Sequence, residues 1–329
     1  MAKIVDISDL EMLAGNKILF PVQLDGVKTL EWIAENITLI HEAIEQNGAV
    51  VLRGLKRMTS KQFADVIEAV FSEPLLEYTY RSSPRTNLRG KVYTASEYHA
   101  DMSIVQHNEC SYANQWATRL GFYCQQPATK GGQTPIADSL RVYEKIPVDI
   151  RAEFEAKKIR YIRNYGLVDL PWQEVFQTED KLEVQAYCQN NGLTYTWMEG
   201  GLRTTQINPA VAVHPKMAAK LWFNQAHLFH LSALPEQVQK DLLAVHGMEN
   251  LPRHCTFGDG TDIPDEMLNI IRDVYKQEMV SFDWQQNDVL LLDNMRFSHG
   301  RTPFEGGRKV LVGMVGKSDW HQCALDVQG

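Results

Sequence analysis

The segment YHADMSIVQHNECSY (98–112) contains the same pattern twice: a histidine, one intervening residue and then a carboxylate. His99 and Asp101 form the first pair, and His107 and Glu109 form the second. Residues i and i+2 of an extended strand point to one face, so either pair could present an imidazole and a carboxylate together. Such a pair supplies two ligands of a 2-His-1-carboxylate site, which binds Fe(II) and leaves positions open for oxygen chemistry. The tripeptide is common, and it does not choose between the two pairs.

A third ligand must come from elsewhere in the chain, and His299 is the best candidate. It follows the apolar run DVLLLDN (288–294), and a second apolar run that begins with Arg308, RKVLVGMVG (308–316), comes after it. Two buried strands in this order would place an imidazole and a fixed cation at one end of a sheet. A hairpin with a turn-capping histidine and solvated arginines explains the same segment equally well.

The other histidines are assigned no ligand role, because a histidine is more often a surface or hydrogen-bonded core residue than a metal ligand. His227 and His230, in WFNQAHLFH (222–230), are three residues apart, which suits one face of a helix. No carboxylate follows that pattern, so packing or substrate contact is favoured. His214 precedes Pro215 and is interpreted as structural. No function is assigned to four further histidines: His41, His246, His254 and His321.

The elements that must position these residues fall into two groups. Apolar residues recur at helical spacing in 30–46 and 264–277, and TSKQFADVIEAVF (59–71) begins with a capping hydroxyl, so three helices are predicted. Short apolar segments bounded by Gly, Pro, Asn or Asp predict strands in AVVLRGL (49–55), RLGFYCQQ (119–126), VAVHP (211–215), 288–294 and 308–316. Helices at the front and short strands elsewhere predict a β sandwich or barrel flanked by helices.

Composition limits the class of protein. The 329 residues are 44% hydrophobic and 22% charged, with no repeat and no Pro/Gly/Ser-rich linker. A single domain over 1–329 with a helical insert around 140–280 is therefore predicted. The net charge of −8 argues against a nucleic-acid partner. No secretory signal or apolar run of transmembrane length is visible, and the five scattered cysteines are typical of reduced thiols, so a cytoplasmic protein without a membrane partner is expected.

Longer segments of the chain resemble a known enzyme family. HNECSY (107–112) and GFYCQQPATKGGQTPIADSLRVYEKIP (121–147), together with LLLDNMRFSHGRTPFEGGRKVLVGM (290–314), are similar to the taurine-dioxygenase (TauD/TfdA) superfamily of Fe(II)/2-oxoglutarate oxygenases. The closer likeness is to its clavaminate-synthase-like, syringomycin-biosynthesis-type branch, whose ligand motif is His-x-Glu. It runs from about residue 48 to 315. The resemblance implies a mainly β fold with flanking helices and a double-stranded β-helix (jelly-roll) core.

The resemblance also distinguishes the two carboxylate pairs. The family places a Gly-Gly-x-Thr segment roughly two dozen residues after the ligand carboxylate. Thr134 of GGQT lies 25 residues after Glu109 and 33 residues after Asp101. The likeness therefore implies that His107, Glu109 and His299 hold the metal. The first pair is then a lookalike near the rim of the pocket.

A cosubstrate site is implied as well. Arg308, nine residues after His299, matches the family's 2-oxoglutarate arginine, and a guanidinium makes a two-pronged contact with a carboxylate that lysine cannot copy. Thr134 is expected to donate a hydroxyl hydrogen bond to the same carboxylate. Arg301 is the rival arginine, but it lies two residues from His299 and fits the family position less well. Fe(II), 2-oxoglutarate and O2 are the expected cofactor and cosubstrates.

The reaction implied is hydroxylation of an unactivated C–H bond of an amino acid or amino-acid-derived compound in natural-product biosynthesis. Glu109 stands where related halogenases have a small residue, so halogenation is not expected; desaturation or ring formation by the same iron centre is the alternative. The small-molecule substrate could be free or tethered to a carrier protein, and the negative net charge favours a free one. Four residues lie in segments that resemble the family's substrate side: Arg163, Trp197, Asn224 and Gln225.

A different class of protein fits the same ligands. A non-enzymatic β-barrel protein could use the two histidines and the carboxylate to bind zinc or to stabilise its fold. Loss of Arg308 or Thr134 would have favoured that class, and both residues are present. The oligomeric state is left open by the sequence.

Overall fold

The computed structural model describes residues 20–23, for which the backbone alone is given, and residues 29–323. Nine positions within the second range are excepted: Thr79, Arg81, Ser83, Pro84, Arg89, Ser96, Glu97, Leu167 and Val168. The helices of the described residues are α1 (Thr29–Asn47), α2 (Ser60–Phe71), α3 (Ser139–Lys145), α4 (Val148–Lys157), α5 (Trp172–Phe176), α6 (Lys181–Asn190), α7 (Ala226–Phe229), α8 (Glu236–His246), α9 (Asp265–Glu278) and α10 (Trp320–Cys323). None of these helices combines the length and the apolar character that crossing a bilayer requires.

Strands make up most of the remaining regular structure. In chain order they are β1 (Phe20–Gln23), β2 (Ala49–Arg53), β3 (Tyr93–Thr94), β4 (Ile104–His107), β5 (Gln115–Gln126), β6 (Lys130–Gly131), β7 (Ile136–Asp138), β8 (Ile159–Tyr165), β9 (Thr194–Met198), β10 (Gly201–Asn208), β11 (Val211–Val213), β12 (Lys220–Trp222), β13 (Arg253–Phe257), β14 (Val289–Asp293), β15 (Phe297–Arg301), β16 (Phe304–Glu305) and β17 (Lys309–Asp319). The three predicted helices are confirmed as α1, α2 and α9, and each predicted strand segment contains a strand: β2, β5, β11, β14 or β17. The region around 140–280, predicted to be a helical insert, contains α4 to α9 and also β8 to β13.

A six-stranded sheet in the order β1-β2-β14-β5-β17-β3 forms the centre of the molecule. Strand β14 is buried along its whole length, and its side chains alternate between two cores. Val289 and Leu291 pack on the side of α1 and α2, whereas Leu290 and Leu292 pack on the opposite side. Each fully buried leucine contributes about 1.5–3 kcal/mol of hydrophobic stabilisation. The uninterrupted apolar run in the sequence therefore reflects burial on both faces.

Helix α2 covers one face of this sheet. Its N-terminus is a capping box, in which Thr59 accepts a hydrogen bond from the backbone of Gln62 and the Gln62 side chain accepts one from the backbone of Thr59. Ile67 on the buried face of α2 lies directly over Gly121 of β5, where a Cβ atom would come within 2.1 Å of Cδ1 of Ile67. The glycine therefore permits the close approach of helix and sheet.

The opposite face of the six-stranded sheet packs against a three-stranded sheet in the order β4-β15-β7. Phe122 and Val312 of the large sheet share a core with Ile136 and Phe297 of the small one. A further sheet, in the order β13-β8-β10-β9, lies with the helices of the 140–280 region around another core. The residues that could do chemistry lie between the first two sheets.

Candidate metal centre and active site

His107 and His299 face each other across the antiparallel pair of β4 and β15. They are register partners, and their ring centroids are 4.5 Å apart. Residues directly opposite in such a pair have neighbouring side chains, so strand pairing itself sets the spacing of the imidazoles. Glu109 follows the end of β4, and its Oε2 lies 3.7 Å from Nε2 of His299. One potential ligand atom from each of the three side chains lies within 4.8 Å of the other two.

The two imidazoles are held in defined orientations. Nδ1 of His107 lies 2.8 Å from the carbonyl oxygen of Val105, so the ring donates there and keeps Nε2 as its lone-pair nitrogen. The ring of Phe122 packs against His299, with centroids 5.1 Å apart. Burial of the ring, and then the neighbouring His299, lower the pKa of His107 to about 4. His107 is therefore neutral at physiological pH, which is the form that binds a metal.

The carboxylate of Glu109 is bound by Arg85, a residue that the sequence did not indicate. Nη2 of Arg85 donates to Oε2 of Glu109 at 2.7 Å, and both side chains are buried, with 4% and 2% of their surface exposed. Burial by itself would raise the pKa of Glu109, but Arg85 and the two histidines outweigh it and hold that pKa well below its ordinary value. Glu109 is therefore ionised, as a metal ligand must be.

Asn294 fixes the backbone of Glu109. Its Oδ1 accepts from the N–H of Glu109 at 2.7 Å, and its Nδ2 donates to the carbonyl oxygens of Glu109 and Ala117 at 3.0 and 2.7 Å. Asn294 is fully buried in the turn between β14 and β15. One amide side chain thus joins the loop of the carboxylate to the turn that precedes His299. In the sequence, an asparagine after a buried strand indicated only a turn.

A buried network also supports Asn108, the residue between the first two candidate ligands. Its Nδ2 donates to Oγ of Ser139 at 3.1 Å and to the carbonyl oxygen of Asn294 at 2.7 Å. Nε2 of Gln225 donates to the carbonyl oxygen of Asn108 at 2.8 Å. Gln225, which lies in a segment similar to the family's substrate side, therefore supports the loop of the candidate metal centre.

The lookalike pair lies on an exposed turn before β4. His99 and Asp101 are both exposed, and neither belongs to the group of potential metal ligands found in the part of the chain that the structure describes. The turn is held by Arg301, which is itself buried. Its guanidinium group donates to the backbone carbonyl oxygens of Tyr98, His99 and Met102 at 2.5–2.9 Å. The rival arginine is therefore used to hold a loop.

Arg308 and Thr134 line a small pocket together with His107 and His299. Nε of Arg308 donates to the carbonyl oxygen of Gly132 at 2.8 Å, and Nη2 lies 3.4 Å from Oγ1 of Thr134. Burial, and then the neighbouring Arg301, lower the pKa of Arg308 to about 10, so the group stays charged at neutral pH. Arg308 forms no ion pair with any carboxylate of the described residues, unlike Arg85.

Two glycines before Thr134 make this arrangement possible. Gly131 and Gly132 have φ angles of +70° and +72°, in the left-handed region that favours glycine. A Cβ atom on Gly132 would lie 2.9 Å from Cδ of Arg308, and one on Gly131 would lie 2.2 Å from the carbonyl oxygen of Pro303. The Gly-Gly pair therefore lets the chain turn closely beside the candidate cosubstrate arginine.

Three residues from segments similar to the family's substrate side lie elsewhere. Arg163 is buried and makes two 3.1 Å hydrogen bonds to Oδ2 of Asp169. Trp197 packs edge-on against Trp172, with centroids 5.1 Å apart. Asn224 donates to a backbone carbonyl oxygen in the loop before β11. None of the three lines the pocket beside the candidate metal ligands.

Two other histidines support the site from a distance. Nε2 of His227 lies 2.8 Å from the carbonyl oxygen of Gln106, next to the candidate ligand His107, and its ring packs on Tyr275 with centroids 4.6 Å apart. Nε2 of His214 lies 3.0 Å from Oδ2 of Asp293, at the end of β14. The packing and structural interpretations of these residues therefore agree with their contacts.

Comparison with known proteins identifies the family. The family model described as "Taurine catabolism dioxygenase TauD, TfdA family" matches residues 13–315. The chain belongs to this family. The dapdiamide synthesis protein DdaC of Enterobacter agglomerans is 42% identical over 278 residues, which are 84% of each chain. The clavaminate synthase-like protein At3g21360 of Arabidopsis thaliana is 32% identical over 311 residues, 89% of this chain and 87% of that one.

A solved structure shows the same fold. The taurine dioxygenase from Burkholderia xenovorans superposes with a TM-score of 0.53 at 14% identity, over 90% of this chain and 86% of that one. The predicted fold class, mainly β with flanking helices around a jelly-roll core, is therefore confirmed. Membership of the TauD, TfdA family makes the chain an Fe(II)/2-oxoglutarate-dependent dioxygenase, and the alternative of a non-enzymatic metal-binding barrel was wrong.

Proposed function

We propose that this TauD, TfdA family member hydroxylates an unactivated C–H bond of an amino acid or amino-acid-derived small molecule in natural-product biosynthesis. One observation carries the proposal. A single pocket brings together His107 and His299, with Glu109 beside them, and Arg308 without a carboxylate partner among the described residues. A relative named as a dapdiamide synthesis protein supports the biosynthetic role.

The candidate ligands fit the iron of this family. Two imidazoles and one carboxylate are the donor set of the 2-His-1-carboxylate site, and His107, His299 and Glu109 would supply it. Iron(II) bound there would supply the oxidation of a C–H bond, in a reaction that converts 2-oxoglutarate and O2 to succinate and CO2 and places the second oxygen atom in the product. The protein's own part is to orient the ligands and to keep competing reactions away from the pocket.

Arg308 and Thr134 would bind the cosubstrate. 2-Oxoglutarate has a carboxylate at each end, and the end far from the metal needs a cation and hydrogen-bond donors. A partly buried guanidinium that keeps its charge and has no carboxylate partner in the described structure meets this need, and a charged hydrogen bond is stronger than a neutral one. The Thr134 hydroxyl lies 3.4 Å from the same guanidinium and would bind the same carboxylate.

The position of Glu109 favours hydroxylation over halogenation. Its carboxylate is bound by Arg85 and its backbone by Asn294, so the carboxylate is held among the candidate ligands from both ends. A halide would need the place that this carboxylate takes. Desaturation and ring formation differ from hydroxylation only in the fate of the oxidised substrate, and they are the second candidate outcome.

The substrate is proposed to be a free small molecule, and a carrier-tethered form is the alternative. A cytoplasmic location is also proposed. All five cysteines are free, and four of them are buried, which is consistent with a reducing compartment.

The proposal is tested by incubating the anaerobically purified protein with Fe(II), 2-oxoglutarate, 18O2 and a panel of amino acids, free and carrier-tethered. We expect substrate-dependent succinate and a product that has gained one labelled oxygen atom, with no chlorine even in high chloride. A product that has lost two hydrogens would replace hydroxylation by desaturation or cyclisation. A chlorinated product would overturn the inference from Glu109.

A further inference from the structure

Trp284, in the segment between α9 and β14, makes a hydrogen bond to a residue of the candidate cosubstrate site. Its indole N–H donates to Oγ1 of Thr134 at 3.1 Å. Trp284 is 8% exposed, and its ring packs edge-on against Phe282 with centroids 4.8 Å apart. The indole nitrogen is a donor only, so the direction of this hydrogen bond is unambiguous.

The backbone around Trp284 fixes its position relative to Thr134. Ile136 and Val280 exchange backbone hydrogen bonds of 2.9 and 2.8 Å, so the two segments run side by side. Nε2 of Gln133 donates to Oδ1 of Asp283 at 2.9 Å. The indole is therefore held beside Thr134 by contacts on both sides of that residue, not by its own hydrogen bond alone.

The hydroxyl group of Thr134 receives two donors. Nη2 of Arg308 also points at Oγ1, at 3.4 Å, which is long for an N–H···O hydrogen bond. A hydroxyl has one hydrogen to donate and two lone pairs to accept with, and a guanidinium and an indole can only donate. With both lone pairs facing donors, the hydroxyl hydrogen must point away from Arg308 and Trp284.

Thr134 lies on the wall of the pocket, and no acceptor for its hydrogen is found among the residues that the structure describes. A carboxylate held by Arg308 would be such an acceptor. A hydroxyl that accepts hydrogen bonds is also polarised toward donating a stronger one.

We propose that Trp284 is a positioning residue for 2-oxoglutarate, because its indole N–H fixes the Thr134 hydroxyl as a donor to the cosubstrate carboxylate. The inference rests on the proposed roles of Thr134 and Arg308. It adds a third residue, 150 positions from Thr134 in the chain, that no pattern in the sequence indicated.

The test compares Trp284→Phe with a matched control, Trp320→Phe. Trp320 is 6% exposed, and its indole N–H donates to a single acceptor, the carbonyl oxygen of Ala113, at 3.1 Å. Both substitutions therefore remove one buried indole hydrogen bond, but the acceptor for Trp284 is Thr134, which lines the pocket, whereas the acceptor for Trp320 is Ala113, which does not. Dissociation constants for 2-oxoglutarate are measured by calorimetry on the anaerobic Fe(II) protein, and KM and kcat are measured from succinate formation.

We expect Trp284→Phe to weaken 2-oxoglutarate binding by about three- to tenfold, the effect of one modest hydrogen bond, and to raise KM with kcat within about twofold. Trp320→Phe should leave the 2-oxoglutarate affinity unchanged, although it lowers Tm. Trp284→His, which keeps a ring N–H, should lose less affinity than Trp284→Phe, and it provides a second variant if the phenylalanine protein does not fold.

A double-mutant cycle with Thr134→Val separates positioning from packing. If Trp284 acts through the hydroxyl, Trp284→Phe has no further effect on affinity once Thr134 is valine. Equal losses in both backgrounds would overturn the inference, as would an unchanged affinity in Trp284→Phe alone. If Thr134→Val itself leaves the affinity unchanged, the proposed role of Thr134 fails and the inference fails with it, whereas the iron-dependent reaction is untouched.

Discussion

At the scale of single residues, the buried ion pair of Arg85 and Glu109 determines the charge of a candidate metal ligand. Taking two charges out of water is costly, and the pair is stable because the two groups are hydrogen-bonded at 2.7 Å. Removing one partner of such a pair leaves a buried charge without compensation, at a cost of about 3–5 kcal/mol. Arg85 therefore contributes to the stability of the protein as well as to the ionisation of the candidate metal ligand.

The metal assignment predicts a clear split between two sets of alanine variants. His107→Ala, Glu109→Ala and His299→Ala should each abolish iron-dependent turnover, because each removes one of three ligands. His99→Ala and Asp101→Ala should keep substantial iron binding, because both residues are exposed on a turn away from the ligand group. Iron content after anaerobic loading and the rate of succinate formation measure the difference. If the Asp101 variant lost iron and the Glu109 variant kept it, the assignment would be reversed.

Arg308→Lys should raise the KM for 2-oxoglutarate more than it lowers Fe(II) affinity. Lysine keeps the charge, but a single ammonium cannot reproduce the contacts of a guanidinium. In the wild-type protein these contacts include hydrogen bonds to Gly132 and Thr134. Losing one charge-assisted hydrogen bond should cost ~1.5–3 kcal/mol, or about one to two decades in KM. Steady-state kinetics measure KM, and Arg301→Lys is the control. An unchanged KM in the Arg308 variant would point to another cation.

The candidate ligands and the candidate cosubstrate residues could be predicted from the sequence, because they occur in motifs whose spacing matches that of the family. The contacts of Arg85, Asn294 and Trp284 with the site could not be predicted, because each contact joins residues that are far apart in the sequence. Arg85 reaches Glu109 across 24 residues and Trp284 reaches Thr134 across 150. The surrounding residue types gave no periodic signal for either contact.

At the scale of elements, the candidate metal centre forms where three segments meet: β4 with the loop after it, the turn after β14, and β15. Strand pairing aligns the two histidines, and Asn294 ties the loop of Glu109 to the turn that leads into β15. The stiffness of the site therefore depends on one amide side chain in a turn.

Asn294→Ala should weaken Fe(II) binding by about 10- to 100-fold, the usual effect of losing a residue that orients a metal ligand. Asn224→Ala is the matched control, since Asn224 is equally buried and also bridges backbone atoms, but not those of Glu109. Fe(II) titration and thermal unfolding of both variants are compared. Equal losses of iron affinity, or losses that follow Tm alone, would contradict the positioning role of Asn294.

The helices and the central strands were predicted because their apolar patterns match their burial. The sheet in the order β13-β8-β10-β9 was not predicted. The buried face of β8 includes Arg163, whose charge is neutralised by Asp169 from a loop. A strand is predicted from alternating apolar residues, and here a charged residue occupies one of the buried positions. Only the folded structure brings that carboxylate to the strand.

At the scale of the whole molecule, three buried histidines outside the candidate metal centre couple stability to pH. Burial is the main cause in each case, and it lowers the pKa of His227 to about 3 and that of His230 to about 4. The pKa of His254, whose ring packs on His230 at 4.6 Å, is also lowered by burial. These imidazoles stay neutral in the folded protein.

The free energy of unfolding should therefore fall as pH falls from about 6.5 toward 4, because the unfolded chain binds protons that the folded chain excludes. His227 and His230 each contribute a slope of about 1.4 kcal/mol per pH unit in this window, and His254 contributes in the same direction. His230→Asn keeps an acceptor for the backbone of Ser232 and should reduce the slope by about that amount. Urea unfolding between pH 4 and 7 measures it, with the exposed His321→Asn as control. An unchanged slope in the His230 variant would contradict the prediction.

The pairing of His107 with His299 has a consequence for the synthesis of the protein. The two register partners are 192 residues apart, and β17, which pairs with β5 in the central sheet, follows the second of them. A nascent chain that has not yet reached β15 carries only two of the three candidate ligands: His107 on a short strand that still lacks its partner, and Glu109 in the loop after that strand. On this assignment the site with three ligands forms only after β15 has been synthesised, so we expect the nascent chain to be an apoprotein until that point.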